Sequence, residues 1–315
     1  MPVPQDPGPP ENLVFLKRSD GAKLSADEPK FLATQEKPLA SGEDLPELVI
    51  EAGKSEAHYW RDLWRYRELL GFLAWRDTKV RYKQAALGVG WAVIQPAIQT
   101  ALLTFVFGKL AKMPSGGVPY PLLVLTGLLP WQLVSSAVTG ASNSLVSNTH
   151  LISKVYFPRL LVPLSALAVA LVDLGILLLI SEPVALAYGV WPNWRLVFLP
   201  LFIVGGLLMA LGAGLWMTAL TVKYRDFRFI VPFILQTGLF VTPVGYRTDF
   251  LPNWRFALSL NPVSAVVDGF RWSLLGGATE LYLPGLVAAV FVTAALCLSG
   301  TWYFRRTERR FADII

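Results

Sequence analysis

Residues 160–188 read LLVPLSALAVALVDLGILLLISEPVALAY, a run in which only Asp173 and Glu182 carry charge. A bilayer core is crossed by about 20 apolar residues of helix. The run is therefore longer than one crossing requires and too short for two crossings with a turn. It predicts one long or tilted helix, with Pro183 distorting its far end. Outward from it, segments 87–108, 119–141, 196–222, 229–246 and 283–304 share the same apolar character, which makes six expected spans. Turn chemistry separates them: Pro114-Ser115-Gly116-Gly117, Pro192-Asn193, Pro252-Asn253, and the polar run from Ser142 to Lys154.

Composition points the same way. The chain has 315 residues, 54% hydrophobic and 16% charged, with a mean hydropathy of +0.48; soluble domains carry about a quarter charged residues. Residues 1–83 hold 27 charged positions, whereas the 221 residues from 84 to 304 hold 17. So sparse a charge density excludes a soluble enzyme surface there. The single cysteine, Cys297, excludes an internal disulfide, and with only His58 and His150 beside it no metal cluster is expected. A net charge of +6 suits anionic lipid and needs no nucleic acid to explain it.

The amino-terminal region divides in two. Residues 1–20 lack the apolar core of a secretory signal, and 1–55, rich in Pro, Glu, Lys, Gly and Ser, read as a disordered cytoplasmic tail. In 56–84, Trp60, Leu63, Trp64, Tyr66, Leu69, Leu70 and Leu73 recur at helical spacing among Arg61, Arg65, Arg67, Arg76, Lys79, Arg81 and Lys83. An apolar, aromatic face beside excess cations predicts an amphipathic helix in the membrane interface; the plainer reading is a soluble core helix with a charged outer face. With the amino end inside, sixteen cations flank the spans on the cytoplasmic side against six outside. Both termini, including the basic tail 305–315, are then expected in the cytoplasm. Segment 258–277, LSLNPVSAVVDGFRWSLLGG, is moderately apolar but broken by Asn261-Pro262 and charged at Asp268 and Arg271. It predicts a re-entrant pair of short helices, tolerated in a membrane only where protein or water covers the backbone. The expected fold is thus an all-α polytopic membrane protein: an interface helix, then six transmembrane helices in 85–304 with a re-entrant hairpin before the last.

Five blocks carry a resemblance: FLAWRDTKVRYKQAALGVGWAVIQP (72–96), VPYPLLVLTGLLPWQL (118–133), NTHLISKVYFPRLLVPLS (148–165), ALTVKYRDFRFIVPFILQ (219–236) and LNPVSAVVDGFRWSLLG (260–276). They resemble the permease subunits of ABC-2 exporters of O-antigen, capsule and teichoic acid. The resemblance implies a homodimer in the inner membrane, paired with two copies of a cytoplasmic ATPase that binds ATP and magnesium, moving a lipid-linked polysaccharide. This chain would carry no cofactor and no catalytic residue, and no G-x-x-x-x-G-K-[ST] phosphate loop occurs in it.

Candidate roles follow, each beside a plainer one. The resemblance makes 148–159 the segment docking in the ATPase, through Asn148, His150, Lys154, Tyr156, Phe157 and Arg159; an ordinary positive-inside loop is the alternative. Lys223 and Arg225 offer a second contact with the ATPase, or a turn that sets topology. Trp91, Gln95, Gln99 and Thr100 form an aromatic and amide stripe suited to lining a glycan conduit, or to hydrogen bonds between helices. Asp173, well inside a span, could face that conduit, pair with a neighbour or be protonated. It and Glu182 lie nine residues apart, on roughly opposite helix faces, which argues against a shared proton site. Asn261, Pro262, Asp268, Arg271 and Trp272 are candidates for a periplasmic gate, with Asp268 and Arg271 placed to pair at i, i+3. Arg76, Lys79, Arg81 and Lys83 are placed to meet a lipid headgroup or pyrophosphate at the cytoplasmic mouth. Rival readings are an ABC-2 permease for a small amphiphile or drug and an ion-coupled secondary transporter. A membrane glycosyltransferase is excluded because no stretch can supply a soluble catalytic domain.

Overall fold

The structure, a computed structural model, describes residues 56–83, 89–155 and 157–308. The tail 1–55 and residues 309–315 of the basic tail lie outside the described residues, as does Tyr156. Every regular element among the described residues is helical. In order they are α1 (Glu56–Arg65), α2 (Arg67–Lys83), α3 (Val89–Leu103) continuing as a π-helical segment (Thr104–Leu110), α4 (Tyr120–Ser147), α5 (Thr149–Lys154) and α6 (Leu161–Ala187). There follow a 3-10 turn (Trp194–Phe198), α7 (Leu199–Lys223), α8 (Phe227–Val241), a 3-10 turn (Thr248–Phe250), α9 (Pro252–Ser259), α10 (Pro262–Leu274) and α11 (Leu283–Glu308).

Five of these stretches are long and apolar enough to cross a membrane: 90–110, α4, α6, 194–223 and α11. The sixth expected span, 229–246, is shorter than its composition promises. Helix α8 has 15 residues, or about 22 Å at the α-helical rise against a hydrocarbon core of about 30 Å. It ends because Pro243 forces the preceding residue out of helical geometry, and Thr242 is extended at φ −77°, ψ 137°. The polar run Ser142–Lys154 also differs from a loop. Helix α4 continues through Ser147, because Ser142, Ser144 and Ser147 turn their hydroxyls back onto the carbonyls of Thr139, Ala141 and Asn143. The break at Asn261-Pro262 falls where the sequence places it. Asn261 Oδ1 accepts the Val263 amide at 3.1 Å, its Nδ2 donates to Thr242 Oγ1 at 2.9 Å, and Pro262 opens the helix.

Helix α4 is the centre. Of its most apolar window 72% is buried, against 17% for the first and last spans, and it packs against α3, α6, α7, α8 and α10. Small residues set the close approaches. A Cβ on Gly214 would meet Ala141 Cβ at 2.9 Å, and one on Gly140 would meet Ala166 Cβ at 3.0 Å. Thr218 Oγ1 donates across the α4–α7 contact to the Ala141 carbonyl at 2.8 Å. Between α7 and α11, a Cβ on Gly212 would meet the backbone of Leu296 and Cys297 at 2.7 Å, and one on Gly300 would run into the Gly212 carbonyl. The Trp216 and Tyr303 rings stack beside them at 4.3 Å, with Trp216 Nε1 donating to Ser299 Oγ at 3.1 Å. Lipid offers no hydrophobic drive between helices, so van der Waals contact of this closeness supplies the association.

Gly300→Ala, whose methyl group has backbone in its place, is expected to destabilise the α7–α11 contact by about 1–3 kcal/mol, the usual cost of overpacking. A lowered thermal midpoint of the detergent-solubilised protein, with Thr301→Ala unchanged, checks this.

Candidate functional site

Two clusters of polar side chains lie at opposite ends of the bundle. The first gathers α1, α2, α5, the start of α6 and the end of α11 around a small apolar core that includes Leu73, Leu145, Phe157, Leu161, Val222 and Phe304. Leu73, 1% exposed, inserts from α2. Beside it Arg76 donates to Asp77 at 2.9 and 2.6 Å and to Asn148 Oδ1 at 2.6 Å, the residue on which α5 begins. Farther along α2, Arg81 forms an ion pair with Asp173 at 2.9 Å, and the Tyr82 hydroxyl donates to the same carboxylate. At the other end of the 148–159 segment, Glu308 accepts from the Arg159 backbone amide at 3.0 Å and the Tyr59 hydroxyl at 3.1 Å, while the Arg159 guanidinium donates to the Glu308 carbonyl. Arg305 lies over the Tyr59 ring at 4.6 Å. Burial, and then the Glu308 carboxylate, push the Tyr59 phenol far above its ordinary range, so it stays a hydrogen-bond donor.

Several sequence-predicted residues therefore take roles different from those expected. Phe157 is buried in the internal core, not presented as an outward anchor, and Arg159 is turned to α11. Among its described residues, this loop exposes His150, Lys154 and Val155. Among the four cations assigned to a headgroup or pyrophosphate, Arg76 and Arg81 are engaged within the chain and Lys79 and Lys83 are exposed. Lys223 and Arg225 are exposed, with Lys223 over the Tyr224 ring at 4.9 Å. On α3 the expected stripe divides. Trp91 and Gln95 face outward, whereas Gln99 accepts from Gln132 Nε2 of α4 at 2.7 Å and the Thr100 hydroxyl is buried. Gln99 is thus a helix–helix bond. Glu308 and Tyr59 were not singled out by sequence; a carboxylate in the cation-rich end of α11 is the signal that could have found the first.

The second cluster surrounds Arg271, which is 1% exposed. The expected i, i+3 bond to Asp268 is replaced. Arg271 Nε and Nη2 donate to the Leu123 carbonyl at 3.3 and 3.2 Å, Nη2 to the Val244 carbonyl at 2.6 Å, and Nη1 to the Tyr246 carbonyl at 2.9 Å. Tyr120 adds a bond to the Gly245 carbonyl at 2.7 Å. The physical reason is supply and demand: the non-helical run after Val241 is buried and its carbonyls need donors. Asp268 instead accepts from Thr248 Oγ1 at 3.4 Å. Gly127 makes room for this, since a Cβ there would lie 2.8 Å from both Arg271 Nη2 and the Val244 oxygen. Trp272 joins Trp194 and Phe198 in edge-on contacts, with Arg195 over its ring at 5.0 Å.

Among the described residues, an all-helical bundle with five candidate spans and a short, proline-broken helical segment stapled into one end has the architecture of a polytopic membrane protein. The ABC-2 type transporter family matches residues 68–275, and the chain belongs to that family. It is 28% identical over 262 residues to the O-antigen export system permease protein RfbA of Myxococcus xanthus, covering 81% of this chain and 98% of the relative. The RfbA protein of Klebsiella pneumoniae is 27% identical over 261 residues, with 79% and 95% covered. The polysialic acid transport protein KpsM of Escherichia coli is 22% identical over 241 residues, with 74% and 91% covered.

Arg271→Met would remove the donor to the buried Val244 carbonyl and the part-buried Tyr246 carbonyl, an unsatisfied buried acceptor costing about 1–3 kcal/mol. Loss of the folded protein from membranes is expected, with Arg271→Lys intermediate because an ammonium reaches fewer of those acceptors. Thermal midpoints of the solubilised variants give the order.

Proposed function

We propose that this chain is the permease subunit of an ABC exporter that carries a lipid-linked polysaccharide of the O-antigen or capsule kind across the inner membrane. The observation that carries the reading is the match to O-antigen permeases over nearly their whole length, including the polar loops. In this reading both termini are cytoplasmic, so the end holding Asn148, Arg159 and Glu308 faces the ATPase, and α1–α2 lie at the interface with Trp60, Trp64, Phe72 and Trp75 exposed. Segment 251–282 enters and leaves at the Arg271 end as the re-entrant hairpin. The placement of α10 against the starts of α4 and α7 supports this, as does the burial of most α10 residues, while α9 is largely exposed. Helix α8, completed by the buried run 242–246, serves as the sixth crossing.

The permease acts as a homodimer with two copies of the ATPase. A single copy offers no polar passage, because α4 fills its centre with apolar side chains. The outward faces of α3, bearing Trp91 and Gln95, and of α8, bearing Gln236 and Thr237 beside Phe233 and Phe240, are the surfaces two copies can set around a glycan. Sugars present both hydroxyls and flat C–H faces, which amides and aromatic rings match. Exposed His150, Lys154, Lys223 and Arg225 meet the ATPase, which supplies the nucleotide chemistry. Asp173, the residue an ion-coupled carrier would need free to exchange protons, is tied to Arg81 and Tyr82.

Removing the chain from its host is expected to abolish surface polymer and leave lipid-linked glycan inside. Lys154→Glu is expected to weaken co-purification of the ATPase by about tenfold, the effect of one interfacial charge reversed. Transport in proteoliposomes that follows a proton gradient and ignores ATP would overturn the reading.

A further inference from the structure

Helix α2 is fastened at two levels. Near its middle, Arg76 holds Asn148 and the Asp77 carboxylate lies 3.5 Å from Ser165 Oγ on α6. Near its end, Arg81 and Tyr82 hold Asp173. Between these levels α6 advances eight residues, about 12 Å, and α2 only four, about 6 Å, at the α-helical rise. The long Arg81 side chain spans the difference. Asp173 is itself a third of the way to half-way along α6 and its side chain is 14% exposed, so its charge needs this partner. Leu73, buried between the start of α6 and the end of α11, keeps α2 from sliding free of either.

We propose that the Arg81–Asp173 pair is a transmission latch. Displacement of the 148–159 segment passes through Asn148 and Arg76 to α2, and from α2 through Arg81 to the middle of α6, where it shifts the helix beside the conduit. Arg81 and Asp173 are positioning residues in this scheme and touch no cargo. The proposal rests on the reading of 148–159 as the ATPase-docking segment. It assigns a function to a carboxylate that would otherwise be only a buried cost, and it requires the two charges for movement, not for folding.

The test uses the full permease–ATPase complex in membranes. Arg81→Met combined with Asp173→Leu removes both charges together, a change that buried ion pairs commonly tolerate in stability. The expected result is normal membrane abundance, normal co-purification of the ATPase and ATP hydrolysis within about twofold, while polymer export falls about tenfold, the scale of coupling carried by a side-chain network. The exchanged pair, Arg81→Asp with Asp173→Arg, is expected to recover export. Wild-type export by the double apolar variant would overturn the latch. So would a loss of export that tracks loss of abundance, or that the exchanged pair fails to recover while staying abundant. If the unaltered permease retains no ATPase, the docking reading itself has failed, and that outcome removes the latch with it.

Discussion

The constraint on which the bundle depends is the satisfaction of backbone carbonyls where the chain is neither helical nor wet. Residues 242–246 leave α8 and run buried to the 3-10 turn at Thr248. An unpaired amide in such a place costs several kcal/mol against hydrocarbon. Arg271 and Tyr120 supply the donors, and because Arg271 also grips Leu123, the same guanidinium joins α10, α4 and the segment after α8. Arginine suits this task better than lysine, since its donors are fixed in a planar fork and can reach three carbonyls at once. The seating of α10 against α4 and against the segment after α8 follows from that one side chain.

From this staple outward the fold is a matter of close backbone contact. Gly127 gives Arg271 its space, and Gly269 accepts the Phe202 ring of α7 against α10. Gly214, Gly212 and Gly300 then bring α4, α7 and α11 together farther along. The opposite end uses different chemistry: an apolar core under α2, sealed by charged groups that bond across four separate elements. The far end is thus centred on one guanidinium bonded to main-chain carbonyls, and the near end combines bonds between side chains with main-chain bonds at Arg159 and Glu308.

Much of this was legible from residue order. Apolar length gave the α-helical class, five of the six expected spans and the interruption at Asn261-Pro262. Most of what escaped depends on partners distant in the chain. Ser142 and Ser144 read as a break because serine favours caps and turns, yet their hydroxyls bond back to the Thr139 and Ala141 carbonyls one turn earlier and the helix runs on. Phe157 read as an anchor because a loop aromatic is ordinarily exposed, and the core that buries it comes from α2, α6 and α11. Gln99 read equally as conduit or as helix contact, and only Gln132, thirty-three residues on, decides it. Asp268 and Arg271 satisfied the spacing rule for a pair; the rule lost to the demand of three carbonyls, which no spacing encodes.

Asp173 shows how depth converts a sequence oddity into a structural statement. A carboxylate in a long apolar run has three escapes: water, a proton, or a cation brought to it. Water would require an open cavity, yet its side chain is only 14% exposed. A cation is at hand in Arg81, which pairs with the carboxylate at 2.9 Å. The third escape demands a helix that carries its cation alongside α6, and α2 does this while Leu73 anchors it below. The cations of α2 therefore divide: Lys79 and Lys83 are exposed, while Arg76 is bonded to Asn148 and the half-exposed Arg81 reaches Asp173.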